Sequence, residues 1–378
     1  MICYIVILTI VLIAGLVQRE AAFHYKDIAN GIMMVLCAVL FLFAAMRGSS
    51  VGADTSNYEK LFDWVSQCDF SQLANLSTGF WYVDNSDILF RYYCKVLSLF
   101  FSSGRAVTVA NSFIVAVALF FLIKQQSRDF WLSVFLFVTL GFYQLSMNLA
   151  PFFMAILVVM CGFQYVCARK LLPYLFFVAL GSFLHPAVIF MALMYPVVLI
   201  RLNQKRFLMI FSLGVFVSVF AYPQMISVLL HIVPTRYQPY LAAEGMTSDK
   251  IIVWVTHLVI FFMCWIAQKD RAAMFEQHGF FVWVFLVESL VYLWSMQSSG
   301  ANRIAFMFSP YFIIVVPRLL SSVRNHVSQT VGGEKMASSS LTLHASRCKA
   351  LIVVFCVVQY LGRMCVNNIG QTIPYTFL

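Results

Sequence analysis

Long apolar runs, broken by short polar or basic segments, recur along the whole chain. Many of these runs approach the roughly 20 residues that an α-helix needs to cross a hydrocarbon core of about 30 Å. The pattern predicts an all-α polytopic membrane protein with about 12 transmembrane helices in a single domain, residues 1–378. The predicted spans are 1–17, 28–46, 106–123, 130–145, 151–168, 171–184, 186–200, 207–231, 251–267, 279–297, 303–320 and 350–366.

The composition agrees with a membrane protein. Hydrophobic residues make up 62% of the chain and charged residues 11%, whereas soluble domains carry about 25% charged residues. The net charge is +10, but the basic residues lie between apolar runs, so no nucleic-acid partner is expected.

The ten cysteines lack metal-ligand spacing, so no metal or other cofactor is expected. Cys68 and Cys94 could pair if their polar region faces an oxidising compartment.

Basic residues orient the predicted helices across the membrane. Lysine and arginine are enriched in cytoplasmic loops, and they mark several short loops and the long polar loop 321–349 as cytoplasmic. Segment 47–105 then forms a loop on the opposite, exterior face. Within it, the apolar stretch 88–101 is too short to span and carries Arg91 and Lys95, which predicts an interfacial helix.

Residues 171–200 are too few for two full spans of about 20 residues each. They are predicted to form a short, re-entrant-like helix pair that turns at His185, directly before Pro186. His185 is then either a cavity group that takes a proton or binds phosphate, or a helix–helix hydrogen-bond partner. For Glu288, in the middle of a predicted span, helix bracing and a proton-relay role are both open.

Polar residues that are unusual in a membrane protein collect on the exterior face. They are Arg47, Gly52, Asp54, Tyr58, Arg91, His185, Arg236, Tyr237 and Arg303. Arginine suits bidentate phosphate binding, although an arginine at a helix end also snorkels to lipid headgroups. Asp54 is predicted to act as a base or to orient a sugar hydroxyl, unless it only pairs with Arg47 or Lys60. Gly52 allows the backbone to approach a ligand closely.

Several motifs follow one another in a recognisable order. "RGSSVGADTSNYEKLF" has the pattern Arg-x-x-x-x-Gly-x-Asp-x-x-x-Tyr, and it precedes "SMNLAPFFMAI", "FLHPAVIF", "NRIAFMFSPYFIIVVP" and the closing "TIPYTF". In this order they resemble the EpsG-like branch of the bacterial polysaccharide polymerases, the O-antigen polymerase (Wzy) type. Ala150 and Pro151 stand where that family often has Arg-Gln, so no role is transferred to Ala150.

The resemblance implies a membrane glycosyltransferase that joins oligosaccharide repeat units carried on undecaprenyl pyrophosphate into O-antigen or a related surface polysaccharide. The lipid-linked oligosaccharide would be both donor and acceptor, and no metal or nucleotide would be needed. Membrane lipid and a separate chain-length regulator are the further partners that it allows. The expected fold is related to the GT-C glycosyltransferases, in the bacterial inner membrane with the active face in the periplasm.

The resemblance also suggests roles for the exterior residues. Asp54 or His185 would accept the proton of the attacking hydroxyl. The substrate-binding residues would be Arg47, Arg303, Gly52, Tyr58, Arg91, Arg236 and Tyr237.

Three other functions are weighed against this one. An O-antigen ligase would use the same donor, but it normally has a large exterior loop between late spans rather than at 47–105. A flippase for lipid-linked oligosaccharides tends to show two similar halves, and no such repeat is seen. A membrane-bound acyltransferase would need its catalytic histidine on the cytoplasmic side, whereas His185 is predicted to lie outside.

Overall fold

The protein is all-helical. In this computed structural model the residues described below form helices and the loops that connect them, and they contain no strand. The structure describes residues 1–24, 26–221, 224, 227–228, 231, 238, 248–268, 274–275, 278–296, 299–329 and 335–377.

Within these residues, four helices are long and apolar enough to cross a membrane. They are Arg105–Gln126, Asp249–Ala267, Asn302–Ser321 and Ala345–Val366, and a bent pair brings the number to five. The predicted class of multi-pass helical membrane protein is therefore confirmed. The number of about 12 spans and the GT-C architecture stay predictions.

The chain forms two compact units. The first comprises Met1–Gln126, Phe130–Ala192 and Met364–Leu378, and the second comprises Ser127–Asp129 and Leu193–Arg363. The first unit contains α1 (Ile2–His24), α2 (Lys26–Ala45), α3 (Thr55–Ser66), α4 (Trp81–Asp84), α5 (Ile88–Ser98), α6 (Arg105–Gln126), α7 (Phe130–Thr139), α8 (Phe142–Asn148), α9 (Ala150–Cys161), α10 (Phe163–Cys167) and α11 (Leu171–Leu184). Within it α2 packs on α1 and α6, and α9 packs on α6 and α11.

A glycine breaks the predicted span 130–145. α7 ends at Thr139 and α8 begins at Phe142, with a bend of 60° between the two helices. Gly141 has a φ of +87°, in the left-handed region that glycine enters without a Cβ clash. The single span predicted from the sequence is therefore two helices, and the second one ends at Asn148, beside the site described below.

The segment around His185 agrees with the prediction of a short helix pair. α11 has the predicted bounds, and His185, whose backbone is extended, follows its last residue. The second arm is helical over Pro186–Leu199. It consists of a 3₁₀ helix, Pro186–Leu193, followed by the short α12 (Met194–Leu199).

The second unit continues with α13 (Gln204–Phe220), α14 (Ser248–Ala267), α15 (Gly279–Ser295), α16 (Ser299–Phe308), α17 (Phe312–Gln329) and α18 (Lys335–Val366), whose last residues belong to the first unit. Stacked aromatic rings fill its core. The rings of Phe261 and Phe285 lie 3.8 Å apart, and that of Phe207 lies 5.5 Å from Phe261. These contacts hold α13, α14 and α15 together, since buried aromatic side chains contribute large apolar areas.

Candidate functional site

Two of the sequence motifs contact each other directly in the first unit. The loop between α2 and α3 carries the Arg-x-x-x-x-Gly-x-Asp-x-x-x-Tyr motif, and it lies on the C-terminal end of α8. Arg47 Nη2 donates to Met147 O at 3.2 Å, and the Tyr58 hydroxyl donates to Asn148 O at 2.8 Å. The Asp54 backbone N–H donates to Asn148 Oδ1 at 3.0 Å. Asn148, to which the sequence assigned no role, therefore fixes the position of Asp54.

The C-terminal motif joins the same cluster. Gly48 N donates to Thr376 O at 2.8 Å, and Arg47 forms an antiparallel bridge with Phe377. Gly52 N donates to Gln371 O at 3.1 Å. Three segments that are distant in the sequence thus meet around residues 47–58.

Side chains cap the C-terminal end of α2, whose last carbonyl groups have no helical partner. Arg47 Nη1 donates to Ala44 O at 2.5 Å, and Arg105 Nη2 donates to Ala45 O at 2.6 Å. The Tyr375 hydroxyl donates to Phe43 O. Two guanidinium groups therefore lie at the negative end of the α2 dipole, where positive charge is favourable.

Arg47 is buried, and its guanidinium is hydrogen-bonded to other groups of the protein. Only 1% of the residue is exposed. Besides Ala44 and Met147, its guanidinium contacts Ser112 Oγ at 3.0 Å and Thr55 Oγ1 at 3.5 Å. All four acceptors are neutral oxygens, so these contacts hold the loop against α2, α6 and α8. The phosphate-binding role of Arg47 stays a prediction.

Arg91 is also held by hydrogen bonds within the protein. It is buried and donates to Leu73 O at 2.9 Å, Asp84 O at 2.8 Å and Ser86 Oγ at 2.9 Å, so it fixes the segment before α5. The Asp84 carboxylate accepts from the backbone and hydroxyl of Thr78, and the backbone bond in particular lowers the pKa of Asp84. Binding of substrate by Arg91 stays a prediction.

Asp54 faces two tyrosines. It precedes α3, but its carboxylate does not cap that helix. Burial raises the pKa of Tyr58 and Tyr82, and the nearby Asp54 carboxylate raises both further. The two phenol rings pack edge to face at 5.9 Å. Asp54 is partly exposed, so its carboxylate lies at the surface of this aromatic cluster.

His185 joins the cluster through two contacts. Its ring lies 4.9 Å from that of Phe152, a residue in the first turn of α9 that follows Asn148 by four positions. Its Nε2 lies 3.6 Å from Oδ2 of Asp87, a residue that the sequence did not single out. Asp87 directly precedes α5, and Phe90 of that helix packs on Tyr58 at 5.5 Å. These contacts, with the short chain segments between them, form a closed ring that links Asp54 to His185.

Replacing Gly52 with alanine is expected to lower the stability of the first unit by about 1–2 kcal/mol, the cost of a left-handed conformation for other residues. Gly52 has a φ of +91°, and an added Cβ would lie 3.0 Å from Thr55 Oγ1. Thermal unfolding in detergent would measure the loss. Gly31→Ala is the control, because a Cβ there meets nothing within 4 Å. Equal unfolding temperatures for both variants would contradict the prediction.

The second unit holds another buried polar cluster, which the sequence indicated only through Glu288. Oε1 of Glu288 accepts from His257 Nδ1 at 2.5 Å and from Ser309 Oγ at 2.8 Å. Nearby, Arg363 pairs with Asp249 at 2.7 Å. His257 was missed, although a histidine within a predicted span is a signal in its own right.

Of the other residues predicted to be functional, the structure describes Arg303 but not Arg236 and Tyr237. Arg303 lies in α16 of the second unit and is partly buried. Arg236 and Tyr237 lie outside the described residues. Cys68 and Cys94 are free thiols. Within the described part of the chain, no group of three or more His, Cys, Asp or Glu side chains could hold a metal ion.

Comparison with known proteins gives one clear relationship. No curated protein and no solved structure matches the chain significantly. The model of the EpsG family matches residues 31–377, a range that includes the contacting motifs and Arg303. Because the match covers nearly the whole chain, the protein belongs to the EpsG family, whose members are Wzy-like polysaccharide polymerases.

Proposed function

We propose that the protein joins oligosaccharide repeat units carried on undecaprenyl pyrophosphate into O-antigen or a related surface polysaccharide, at the periplasmic face of the bacterial inner membrane. The observation that carries the proposal is the closed ring of contacts around Asp54 and His185. It connects family-like motifs from distant parts of the chain, and both Asp54 and His185 are partly exposed. Family membership supports polysaccharide polymerisation in general.

The chemistry is a glycosyl transfer. A sugar hydroxyl of the incoming unit attacks the anomeric carbon of the growing chain, and the bond from that carbon to pyrophosphate breaks. The electron pair leaves with the pyrophosphate, and the hydroxyl proton passes to a side chain of the site. Charge that develops on pyrophosphate is stabilised by cationic groups, for which Arg303, Arg236 and Arg47 are the candidates.

A deletion strain tests the function. If the protein is a polymerase, loss of its gene leaves core carrying one repeat unit, and the wild-type gene restores a ladder of chain lengths on a gel. Naked core with accumulated lipid-linked polymer would instead indicate a ligase. An unchanged ladder in the deletion strain would overturn both functions and favour transport.

Replacing Asp54 with asparagine is expected to reduce polymer formation by about 10²-fold, the effect of losing a positioned proton acceptor or orienting group. The substitution removes the carboxylate charge but keeps the Asp54 backbone N–H that Asn148 accepts. Gels of the complemented deletion strain, at matched membrane levels, would measure the effect. Asp63→Asn is the control, because Asp63 is an exposed carboxylate on the same helix, α3. A full ladder from Asp54→Asn would exclude a chemical role for this carboxylate.

A further inference from the structure

We infer that Asp87 accepts the proton of the attacking hydroxyl and that His185 positions the Asp87 carboxylate. The inference rests on the proposed function, since it assigns roles within the same site. Asp87 stands directly before α5, and its side chain faces His185 across the site. The sequence left the choice of base open between Asp54 and His185 and did not single out Asp87.

The backbone determines which nitrogen of His185 carries hydrogen. Nδ1 accepts the N–H of Ala187 at 3.3 Å. This N–H needs a side-chain acceptor, because it lies at the start of the 3₁₀ helix, where backbone donors have no helical partner. A neutral imidazole has one donor and one acceptor nitrogen. With Nδ1 as the acceptor, Nε2 is the donor.

Asp87 lies beside Nε2 of His185. Nε2 and Oδ2 are 3.6 Å apart, slightly beyond hydrogen-bond distance, and such contacts often shorten when a substrate binds. The Phe152 ring packs against the imidazole at 4.9 Å and fixes its plane. The side chains of His185 and Asp87 are 17% and 20% exposed, so a sugar hydroxyl can reach the carboxylate.

An imidazole held in this way has no lone pair for a substrate proton, because Nδ1 is used by Ala187 and Nε2 carries hydrogen. A carboxylate, by contrast, has two oxygens and about four acceptor positions. It can accept Nε2–H at one position and a hydroxyl at another. Of the two side chains, His185 and Asp87, it is therefore Asp87 that can take the proton.

In one transfer, one bond forms, one bond breaks and one proton moves. The hydroxyl oxygen forms its bond to the anomeric carbon, and the bond from that carbon to the pyrophosphate oxygen breaks. The electron pair of the broken bond stays on the pyrophosphate. The hydroxyl proton moves to Asp87, which becomes a neutral carboxylic acid and later returns the proton to water. Asp54 is left to orient the hydroxyl or the sugar that bears it.

The test compares a variant of each residue. His185→Gln keeps an N–H donor near the position of Nε2 but has no basic nitrogen, so it is expected to retain polymerisation within about tenfold. His185→Ala removes the donor and is expected to lose more. Asp87→Asn is expected to lose about 10²–10⁴-fold, as for removal of a general base. Asp63→Asn is the control for loss of an exposed carboxylate.

The assay uses the full-length protein in membranes of the deletion strain. The probe is the lipid-linked repeat unit that accumulates there, and chain length is followed on gels at matched protein levels. Thermal unfolding of each variant identifies those that fail to fold. The inference would be overturned if both variants fold and His185→Gln has as little activity as Asp87→Asn. That result would indicate that the imidazole is the base.

The same assay distinguishes failure of the proposed function from failure of the role assigned to Asp87. If the wild-type protein forms no polymer from this pool, the proposed function fails and the inference fails with it. If the wild-type protein elongates the pool and Asp87→Asn elongates it equally well, the inference alone is wrong.

Discussion

Replacing Arg47 with alanine is expected to destabilise the first unit so strongly that little protein remains in the membrane. The guanidinium is 1% exposed and joins the ends of α2 and α8. Alanine leaves Ala44 O and Met147 O buried without this donor, and each unsatisfied group costs about 1–3 kcal/mol. The cavity left by the side chain adds to that cost. The sum is a large part of the roughly 5–15 kcal/mol that stabilises a typical protein.

Membrane amounts and thermal unfolding in detergent would measure this effect. Arg206→Ala is the control, because Arg206 is exposed, and surface substitutions usually change stability by less than about 0.5 kcal/mol. Arg47→Lys is expected to be intermediate, since an ammonium group keeps the charge but lacks the planar fork. Normal amounts and normal stability of Arg47→Ala, with loss of polymer alone, would contradict the structural role. That outcome would favour the phosphate-binding role predicted from the sequence.

The helical membrane class and several helix bounds could be predicted from hydrophobic periodicity. The bounds of α11 were correct, and α14 and α15 lie within three residues of the predicted bounds. One error has a local cause. Gly141 breaks a predicted span through a positive φ, and a hydrophobicity pattern does not report this backbone effect.

The contacts of the site could be predicted only in part. The motif order indicated Asp54 and His185, and a ring of contacts links them in the structure. Asp87 belongs to none of the quoted motifs, and Asn148 belongs to one, "SMNLAPFFMAI", that assigned it no role. Their importance arises from packing between segments that are about 100 residues apart along the chain, as for Asp87 and His185, and spacing rules do not extend that far.

The arginines show why residue type alone leaves a role undecided. Arg47 and Arg91 have the chemistry of phosphate ligands, yet both are buried and occupied by backbone carbonyls and hydroxyls. Helix ends and loops supply such acceptors as readily as a phosphate does. Where these carbonyls lie is a property of the folded chain.

The second large effect is expected at Glu288, which pairs with His257. Replacing one residue of this pair should lower the stability of the protein more than replacing both. Glu288 and His257 are 0% and 1% exposed, and they share one short contact at 2.5 Å. Glu288→Leu removes the acceptor of His257 Nδ1, whereas Ser309 Oγ can still donate to Ala305 O at 3.0 Å. Breaking a buried pair in this way costs about 3–5 kcal/mol, whereas replacing the whole pair with apolar residues is often nearly neutral.

A double-mutant cycle measures the difference. Glu288→Leu, His257→Leu and the double variant are purified in detergent, and their unfolding free energies are compared with the wild type. The double variant is expected to be less destabilised than either single variant, because replacing a whole buried pair with apolar residues is often nearly neutral. Oε2 of Glu288 has no hydrogen-bond partner among the described residues, so removing the carboxylate also removes an unfavourable buried group.

The same three proteins separate bracing from proton relay, the two roles that the sequence left open for Glu288. If the pair only braces α14 and α15, the stable double variant retains a full ladder of chain lengths. If protons must pass through the pair, the double variant is stable and inactive, because leucine carries no titratable group. Strictly additive losses of stability would show that His257 and Glu288 are not coupled, and the bracing role would then be wrong.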